Sequence, residues 1–398
     1  MTALAARIRF TIWRFPFLHK SLRWLKTRFP SAIAGVVHQI GRRIIPNSVA
    51  FGPPSGWYSA YDLLSRDDPI LTGRTVLTDQ GSPLVHAGSI MVLCGRNQHR
   101  EQPWPIFWSR HRDARLIGTS LVHMNQFKEL CVEAAYGPRR VTSDPAYRHF
   151  AWRSPVRLEG PWTSIVSAWM STDIRQPYAH WLFEALPRLA LLEEFPADTR
   201  ILVPPHKLPY QVESLSLLGL LERCRWTRET HLLVKDYYFS SQPSMIVCYS
   251  PYAVEFLRSR FLPLAGQAST TPRRFFVRRP SRARNMVNEQ QVVDFFQNVG
   301  WSIVDTAAMG FKEQVQLFAG AEAVCGIHGS GMANIAWCRA GCKVIELFAD
   351  NYLAGDQEWI SQCITAEYHF LIFHSDYKRS AVVDLDRLQN LLCSLRVL

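Results

Sequence analysis

The sequence predicts an α/β protein with a doubly wound C-terminal domain, a further α/β domain before it and a basic N-terminal arm. Its 398 residues suit two domains of about 100–200 residues each. Predicted strands and helices alternate regularly through the second half of the chain. A glycine-containing turn joins one of these strands to the helix that follows. This alternation predicts a parallel sheet with helices on both faces and right-handed crossovers.

The predicted boundaries follow changes in composition. The arm covers residues 1–50, an N-terminal α/β domain residues 51–265, a C-terminal Rossmann-like domain residues 266–375, and a final helix residues 376–398. A basic, proline-containing segment at residues 265–274 is the expected linker. In the C-terminal domain, apolar runs predict strands at 274–278, 301–304, 323–327 and 343–348. The segments between them predict helices, the first capped by Asn288.

The arm carries most of the chain's excess charge. Residues 1–61 hold nine Lys and Arg but no Asp or Glu, against a net charge of +12 for the whole chain. Apolar side chains recur at helical spacing within the arm, at Leu18, Leu22, Leu25 and Phe29. A basic amphipathic helix is typical of an anionic membrane surface. Docking on the protein's own body and a nucleic-acid-binding arm are the alternatives.

Composition excludes several classes of protein. The apolar content argues against disorder. The chain has no run of about 18 apolar residues, so the sequence predicts no membrane-spanning helix. Charge confined to one arm argues against a nucleic-acid-binding fold. The nine scattered cysteines contain no pair at zinc-ribbon spacing and fit reduced thiols. We therefore expect a cytoplasmic protein, with the arm placing it at the inner face of the membrane.

The N-terminal domain offers one candidate for acid–base chemistry. Residues 163–170 read as a buried strand, and residues 178–195 as a helix that Pro187 should kink or restart. His180 and Glu184 are four residues apart near its beginning, and so they share one helix face. A histidine with a carboxylate can move a proton, although such a pair is also a common structural hydrogen bond.

The C-terminal domain offers a candidate ligand site. His328, Gly329, Ser330 and Gly331 follow the predicted strand 323–327, and Asn334 comes one helical turn later. In parallel sheets, ligands bind at the carboxyl ends of the strands. The glycines would allow a tight turn and a close backbone approach, and the helix N-terminus would offer amides to a phosphate. A purely structural turn is the alternative.

Further charged and polar residues surround this predicted turn. Glu346 stands inside an apolar strand, where a carboxylate needs a partner; it would bind a ribose diol or pair with an arginine. Arginine forks suit pyrophosphate, and four of them follow the first strand of the domain, at positions 278, 279, 282 and 284. Among these we expect Arg278 and Arg284, with Asn288 and Glu289, to contact the ligand.

Together these motifs resemble glycosyltransferase family 61. The resemblance rests on the His180–Arg188 segment, the arginine run with Asn288 and Glu289, residues 313–321, the His328–Asn334 turn, and the Val-Ile-Glu-Leu strand at 344–347. It implies a GT-B architecture, with two Rossmann-like domains facing across a cleft. It also implies inverting transfer from a nucleotide sugar, with a UDP-sugar expected, to a glycan or lipid-linked glycan. The cysteine pattern and basic arm look like the bacterial members associated with surface polysaccharides such as capsule, exopolysaccharide or lipopolysaccharide.

This resemblance assigns roles to the candidate residues. The amides of residues 329–331 and one arginine of the run would stabilise the leaving diphosphate, Glu346 would hold the ribose, and Glu184, supported or replaced by His180, would deprotonate the acceptor. No cofactor or metal is expected, because the Asp384-x-Asp386 pattern reads as a helix start. A non-catalytic glycan-binding or nucleotide-binding protein is the main alternative function. A hydrolase is disfavoured because no second carboxylate at suitable spacing is apparent.

Overall fold

The computed structural model describes residues 56–60, 72–77, 89–90, 105–125, 129–135, 155–166, 178–244, 249–266, 272–279, 285–375 and 380–398. The predicted arm at residues 1–50 lies outside these residues, as do Arg282, Arg284 and most of the predicted linker. Contacts divide the chain into two compact units. The first is Met1–Ala60, His111–Gly160 and Glu229–Tyr237, and the second is Tyr61–Arg110, Pro161–Arg228 and Tyr238–Leu398.

The first unit is a small mixed sheet with one helical turn. Its strands include β1 (Gly56–Tyr58), the last part of β3 (Ile106–Ile117), β4 (Val122–Met124) and β5 (Glu129–Cys131), and α1 (Val132–Ala135) follows β5. β1 and β5 are parallel, whereas β3, β4 and β5 pair antiparallel. Apolar side chains of these strands, from Ile117 to Leu130, form its core cluster.

The second unit contains two sheet regions. The first has β6 (Val156–Ser164, from residue 161 onward), β7 (Arg200–Val203) and β8 (Cys224–Trp226), paired parallel in that order. β2 (Thr72–Leu77) pairs antiparallel with β3, and β9 (His231–Ser240) enters this unit at residue 238. The strand predicted at 163–170 is therefore β6, which begins earlier and ends at Ser164, before Ile165 and Val166.

A long helical segment, residues 178–194, lies between β6 and β7. It starts as an α-helical turn, α2 (Tyr178–His180), widens to a π-helix (Trp181–Ala185), and then tightens to a 3₁₀ helix (Leu186–Glu194). The last change coincides with Pro187, as predicted, because proline cannot supply an amide to the preceding helix. Helix α3 (Pro209–Leu217) and helix α4 (Pro251–Ala265) complete this part of the unit.

The C-terminal sheet is parallel throughout, as predicted. Its strands are β10 (Arg274–Val277), β11 (Ser302–Val304), β12 (Ala323–Ile327), β13 (Lys343–Ala349) and β14 (Glu367–Phe373), in the spatial order β11-β10-β12-β13-β14. Between them lie α5 (Glu289–Asn298), α6 (Phe311–Ala319), a 3₁₀ helix (Ser330–Trp337) and α7 (Asp356–Cys363), and α8 (Leu385–Ser394) follows. The sequence analysis did not predict β14 or α7.

Helices cover both faces of this sheet because its strands are apolar on both sides. In β10, Phe275 packs on Phe318 of α6, while its neighbour Phe276 stacks on Phe296 of α5. Successive strand residues point to opposite faces, so these two phenylalanines anchor one helix each. Leu388 and Leu392 of α8 join the core beside α5. The C-terminal region is thus Rossmann-like, while the facing of two such domains and the predicted boundaries stay predictions.

The last helix begins as the sequence indicated. Asp384 is the N-cap of α8, and its carboxylate accepts a hydrogen bond from the amide of Arg387 at 3.0 Å. The Asp384-x-Asp386 pattern is therefore a helix start.

Candidate active site

The candidate site lies where the strand order of the C-terminal sheet changes direction. β10 and β12 are neighbours, but the chain leaves β10 towards β11 on one side and leaves β12 towards β13 on the other. The carboxyl ends of two such strands frame a crevice, where doubly wound proteins bind their ligands. Arg278 and Arg279 follow β10 at this point, and His328 and Gly329 follow β12.

The glycines of the turn are needed for space and not for backbone conformation. Gly329 is extended, with φ 167° and ψ 178°, so the tight-turn explanation from the sequence is wrong for it. A Cβ on Gly329 would lie 2.0 Å from Nη1 of Arg279, and a Cβ on Gly331 would lie 2.8 Å from Oγ1 of Thr306. The close approach predicted for a ligand is thus made by the protein's own side chains.

Arg279 is the arginine that lies at the turn. Its Nη1 donates to the carbonyl oxygen of His328 at 2.7 Å, which fixes the guanidinium against Gly329. Arg278 is half exposed instead, with Nε bonded to Oε1 of Glu289 at 2.9 Å, and this pairing raises the pKa of Arg278. The sequence analysis had favoured Arg278 over Arg279, since nothing local distinguishes two adjacent arginines.

Two backbone amides at the turn precede the first hydrogen bond of the following helix. That bond runs from Met332 N to the carbonyl oxygen of Gly329 at 3.0 Å. The amides of Ser330 and Gly331 therefore lie at the N-terminal end of the 3₁₀ helix, where amides have no partner in a preceding turn. They are two of the amides that the sequence analysis expects to face a phosphate, and their contact with a ligand stays a prediction.

His328 forms a buried hydrogen-bonded pair with Glu346. Nδ1 of His328 lies 2.7 Å from Oε1 of Glu346, and the Tyr368 hydroxyl donates to Oε2 at 2.6 Å. Burial raises the pKa of Glu346, and the neighbouring His328 and Tyr368 partly offset this effect, while Asp356 adds to it. Both oxygens of Glu346 thus have donors already, and a ribose diol would have to displace one. The partner is a histidine, and not the arginine considered as the alternative.

Asn334 connects three structural elements. Its Oδ1 accepts hydrogen bonds from the Tyr178 hydroxyl at 2.8 Å and from Trp337 Nε1 at 3.0 Å. Its Nδ2 donates to Oε1 of Gln314 at 2.7 Å and to the carbonyl oxygen of Gly331 at 3.1 Å. The amide has no hydrogen-bonding capacity left. Asn334 therefore joins α2, α6 and the 3₁₀ helix, while its predicted contact with the donor stays a prediction.

Asn288 makes a similar connection elsewhere. It is the N-cap residue of α5, but its side chain makes no capping bond, contrary to the prediction. Its Oδ1 accepts from the amide of Val383 and its Nδ2 donates to the carbonyl oxygen of the same residue, both at 2.9 Å. The side chain thus holds the segment that leads into α8.

His180 and Glu184 form the pair that the sequence predicted. Nδ1 of His180 lies 2.5 Å from Oε1 of Glu184. The Glu184 side chain is fully buried, whereas 14% of the His180 side chain is exposed. Glu184 lies in the π-helical turn, a rare geometry that is frequent at functional sites. Among the described residues, no group bonds Oε2 of Glu184.

The structure brings this pair close to the His328 turn. α2, which ends at His180, packs against the 3₁₀ helix Ser330–Trp337, and the hydrogen bond between Tyr178 and Asn334 joins the two. Both histidine–glutamate pairs lie in the second compact unit. The sequence analysis missed Tyr178 and Tyr368, because their importance depends on partners 156 and 22 residues away.

Within the described part of the chain, no cluster of three or more His, Cys, Asp or Glu side chains could hold a metal ion. Metal-independent transfer stays a prediction. Nor does any helix among those residues have the length and apolar character to cross a membrane.

Comparison with known proteins agrees with the motifs. Residues 178–345 match the family model described as Glycosyltransferase 61, a stretch that begins at Tyr178 and ends one residue before Glu346. A comparison with curated proteins gave no match. Members of this family are glycosyltransferases, so the match supports sugar transfer as the activity. It confirms the resemblance drawn from the motifs: over residues 178–345 the chain is similar to glycosyltransferase family 61.

Proposed function

We propose that this protein is an inverting glycosyltransferase that moves a sugar from a nucleotide-sugar donor, a UDP-sugar in our expectation, to a glycan or lipid-linked glycan. The proposal is carried by one observation: the hydrogen bond between Tyr178 and Asn334 joins two parts of a candidate active site. One part is a partly exposed histidine supported by a buried carboxylate. The other is a turn rich in anion-binding groups at the switch point of a Rossmann-like sheet.

The proposed donor site uses the turn and Arg279. The amides of Ser330 and Gly331 and the guanidinium of Arg279 would bind the diphosphate and stabilise the charge that grows on it as the sugar leaves. Arginine presents a planar fork that matches phosphate oxygens. Arg278 is half exposed and already paired with Glu289, which makes it the weaker candidate. Arg284 lies outside the described residues.

His180 is the proposed base, with Glu184 behind it. A fully buried carboxylate cannot contact an acceptor, whereas the exposed part of the imidazole can. As the acceptor oxygen forms its bond to the anomeric carbon, the hydroxyl proton passes to His180, and the bond between that carbon and the phosphate oxygen breaks. Glu184 would hold the ring in place and stabilise the imidazolium, a division of work known from other histidine–carboxylate pairs. This assignment places Glu184 in a supporting role.

Variants of the helical segment test this mechanism. His180→Ala and Glu184→Gln should each lower kcat by about 100- to 10,000-fold, with unchanged binding of the nucleoside diphosphate product measured by calorimetry. Glu193→Gln is the matched control, because Glu193 lies in the same segment with 77% of its side chain exposed and should keep normal turnover. Normal kcat in both His180→Ala and Glu184→Gln would contradict the proposal.

The non-catalytic alternative predicts a different result from the same assays. A binding module would bind a nucleotide or glycan without transfer or slow donor hydrolysis in the wild-type protein. A screen of UDP-, GDP-, CMP- and dTDP-sugars by thermal shift, followed by detection of released nucleotide, separates the two functions. It also identifies the donor base.

Location and pathway belong to the same proposal. The basic composition of residues 1–50 supports binding of the arm to an anionic membrane surface, which would place the enzyme at the cytoplasmic face, where lipid-linked acceptors of surface polysaccharide are built. Removing residues 1–50 should release the protein from anionic liposomes and leave donor binding intact. Unchanged liposome binding would contradict this role of the arm.

A further inference from the structure

The second compact unit contains two histidine–glutamate pairs of the same design. In each pair a fully buried glutamate contacts Nδ1 of a histidine through Oε1, at 2.5 Å for His180 and Glu184 and at 2.7 Å for His328 and Glu346. In each pair the histidine retains a small exposed fraction, 14% and 7% of its side chain. The proposed function uses the first pair as the base and leaves the second pair without a chemical role.

The free side of the second pair is Nε2 of His328. Across the described ranges of the chain, no group bonds this nitrogen. It is also not one of the fully buried side-chain nitrogens without a partner. Nε2 is therefore open to solvent. The ring is held by Phe348, stacked at 5.3 Å between ring centres, and by Tyr352 at 5.4 Å. An imidazole fixed on three sides, with its remaining nitrogen accessible, is a preorganised group.

His328 also lies beside the groups proposed to bind the diphosphate. Its carbonyl oxygen accepts the hydrogen bond from Arg279, and the next residue is Gly329, at the start of the turn. We propose that His328 donates a hydrogen bond from Nε2 to the departing diphosphate and that Glu346 is its positioning residue. This inference rests on the proposed function and adds a second catalytic histidine, which acts on the leaving group.

The hydrogen bonds of Glu346 determine which atoms can carry protons. Tyr368 donates to Oε2, so that Oε1 faces Nδ1 of His328. If one proton lies between Oε1 and Nδ1 and the pair is neutral overall, Nε2 carries a hydrogen whichever of the two atoms holds that proton. If the pair carries one negative charge, Nε2 has a lone pair and no hydrogen, and it would face the diphosphate as an acceptor.

A bound diphosphate would select the neutral form of the pair. Its negative charge repels an anionic pair in a site with little water, where charges interact strongly. The charged and titratable groups around the pair are Arg279 after β10, Tyr352 after β13, Asp356 on α7 and Tyr368 on β14. Glu358 on α7 acts on Tyr368. Asp356 further disfavours a negative charge on Glu346. In the pH range where the free pair is anionic, binding of the diphosphate should therefore be accompanied by proton uptake.

The role of His328 in the reaction step is then defined. The bond between the anomeric carbon and the phosphate oxygen breaks, and its electron pair stays on that oxygen. The hydrogen on Nε2 of His328 bonds the phosphate as this charge develops. The proton from the acceptor goes to His180, so each histidine serves one side of the displacement.

Calorimetry with UDP and GDP as probes tests the proposal on the full chain. His328→Asn should weaken binding of the preferred diphosphate by about 10- to 100-fold and lower kcat at saturating donor. His180→Ala should leave this affinity unchanged, because His180 serves the acceptor side. Glu346→Gln should lower kcat more than it raises KM. His328→Gln should regain part of the affinity that His328→Asn loses, because the longer side chain brings its amide nitrogen nearer to the position of Nε2.

Titrations in buffers with different ionisation enthalpies supply a measurement that a purely structural pair would not change. In the pH range where the free pair is anionic, the wild type should take up protons on binding the diphosphate, and His328→Asn should abolish this uptake. Wild-type affinity and equal proton uptake in His328→Asn would overturn the inference and leave the proposed function standing. If His328→Asn does not fold, the absence of uptake in the wild type at every pH of a titration series overturns it. Failure of the wild type to bind either diphosphate or to turn over any donor would instead refute the proposed function.

Discussion

Replacing Gly329 by alanine tests whether the guanidinium of Arg279 forms part of the donor site. Gly329 has an extended backbone that any residue can adopt, so the methyl group acts only through space. It would lie 2.0 Å from Nη1 of Arg279, and ordinary contact begins at 3.4 Å. The guanidinium must therefore retreat by about 1.4 Å, which breaks its 2.7 Å hydrogen bond to the carbonyl of His328.

The expected effect follows from the strength of this interaction. A hydrogen bond made by a charged group contributes about 1.5–3 kcal/mol, and a displaced Arg279 should lose a comparable contact with the diphosphate. We expect the affinity of Gly329→Ala for the nucleoside diphosphate to fall by about 10- to 150-fold, measured by calorimetry. Gly331→Ala is the matched control. Its methyl group would meet the Thr306 hydroxyl at 2.8 Å, which can move without disturbing Arg279, so its affinity should fall less.

A double variant separates the two possible causes. If alanine at position 329 acts through Arg279, Gly329→Ala combined with Arg279→Ala should bind the diphosphate no more weakly than Arg279→Ala alone. Thermal unfolding of each variant shows whether the fold is intact. Wild-type affinity in a folded Gly329→Ala protein would refute the reasoning and remove Arg279 from the site.

Three further predictions concern stability. Glu213→Gln should lower the free energy of unfolding in urea by about 1–2 kcal/mol. The reason is that the Glu213 carboxylate accepts hydrogen bonds from the first two amides of α6, from Phe311 at 2.6 Å and from Lys312 at 3.1 Å. An unchanged urea midpoint would contradict this capping role. Asn334→Ala should lower the free energy of unfolding by about 3 kcal/mol or more, because it leaves several buried partners unpaired. A decrease of less than about 1 kcal/mol, measured by urea unfolding, would contradict this expectation. Burial lowers the pKa of His111 from 6.5 to about 3. As the pH falls, the unfolded state therefore binds a proton before the folded state does. The stability that this histidine contributes is complete above pH 6.5 and is lost towards pH 3. Between pH 6.5 and 4.5 the wild type should lose about 2 kcal/mol more than His111→Gln, and equal losses in urea unfolding would refute this.

The local elements of the C-terminal sheet could be predicted well from the sequence. The strand predicted at 323–327 is β12, Ala323–Ile327, and the strand predicted at 274–278 is β10, Arg274–Val277. Such apolar runs identify buried parallel strands because both of their faces are covered. β14, also partly apolar, was missed, since as an edge strand with half-buried residues it lacks this uniform pattern.

The candidate site was only partly predictable. The spacing of His180 and Glu184 predicted a pair that the structure contains, because both lie within one helical turn. The position of Glu346 in an apolar strand indicated that this carboxylate needs a partner. Which partner it has depends on strand neighbours: β12 supplies His328, and β14 supplies Tyr368. The choice between Arg278 and Arg279 likewise depends on which side chain meets Gly329, 50 residues further along.

The sequence by itself determined the alternation of strands and helices, the position of the turn after β12, the helical histidine–glutamate pair and the resemblance to glycosyltransferase family 61. These features depend on neighbours within a few residues, which periodicity and motif spacing record. Only the tertiary structure decided that Glu184 is buried behind His180, that Glu346 supports His328, and that Asn334 joins α2 to the turn. Hydrogen-bond partners far apart in the chain are fixed by strand order, register and packing, and these form only when the whole sheet assembles.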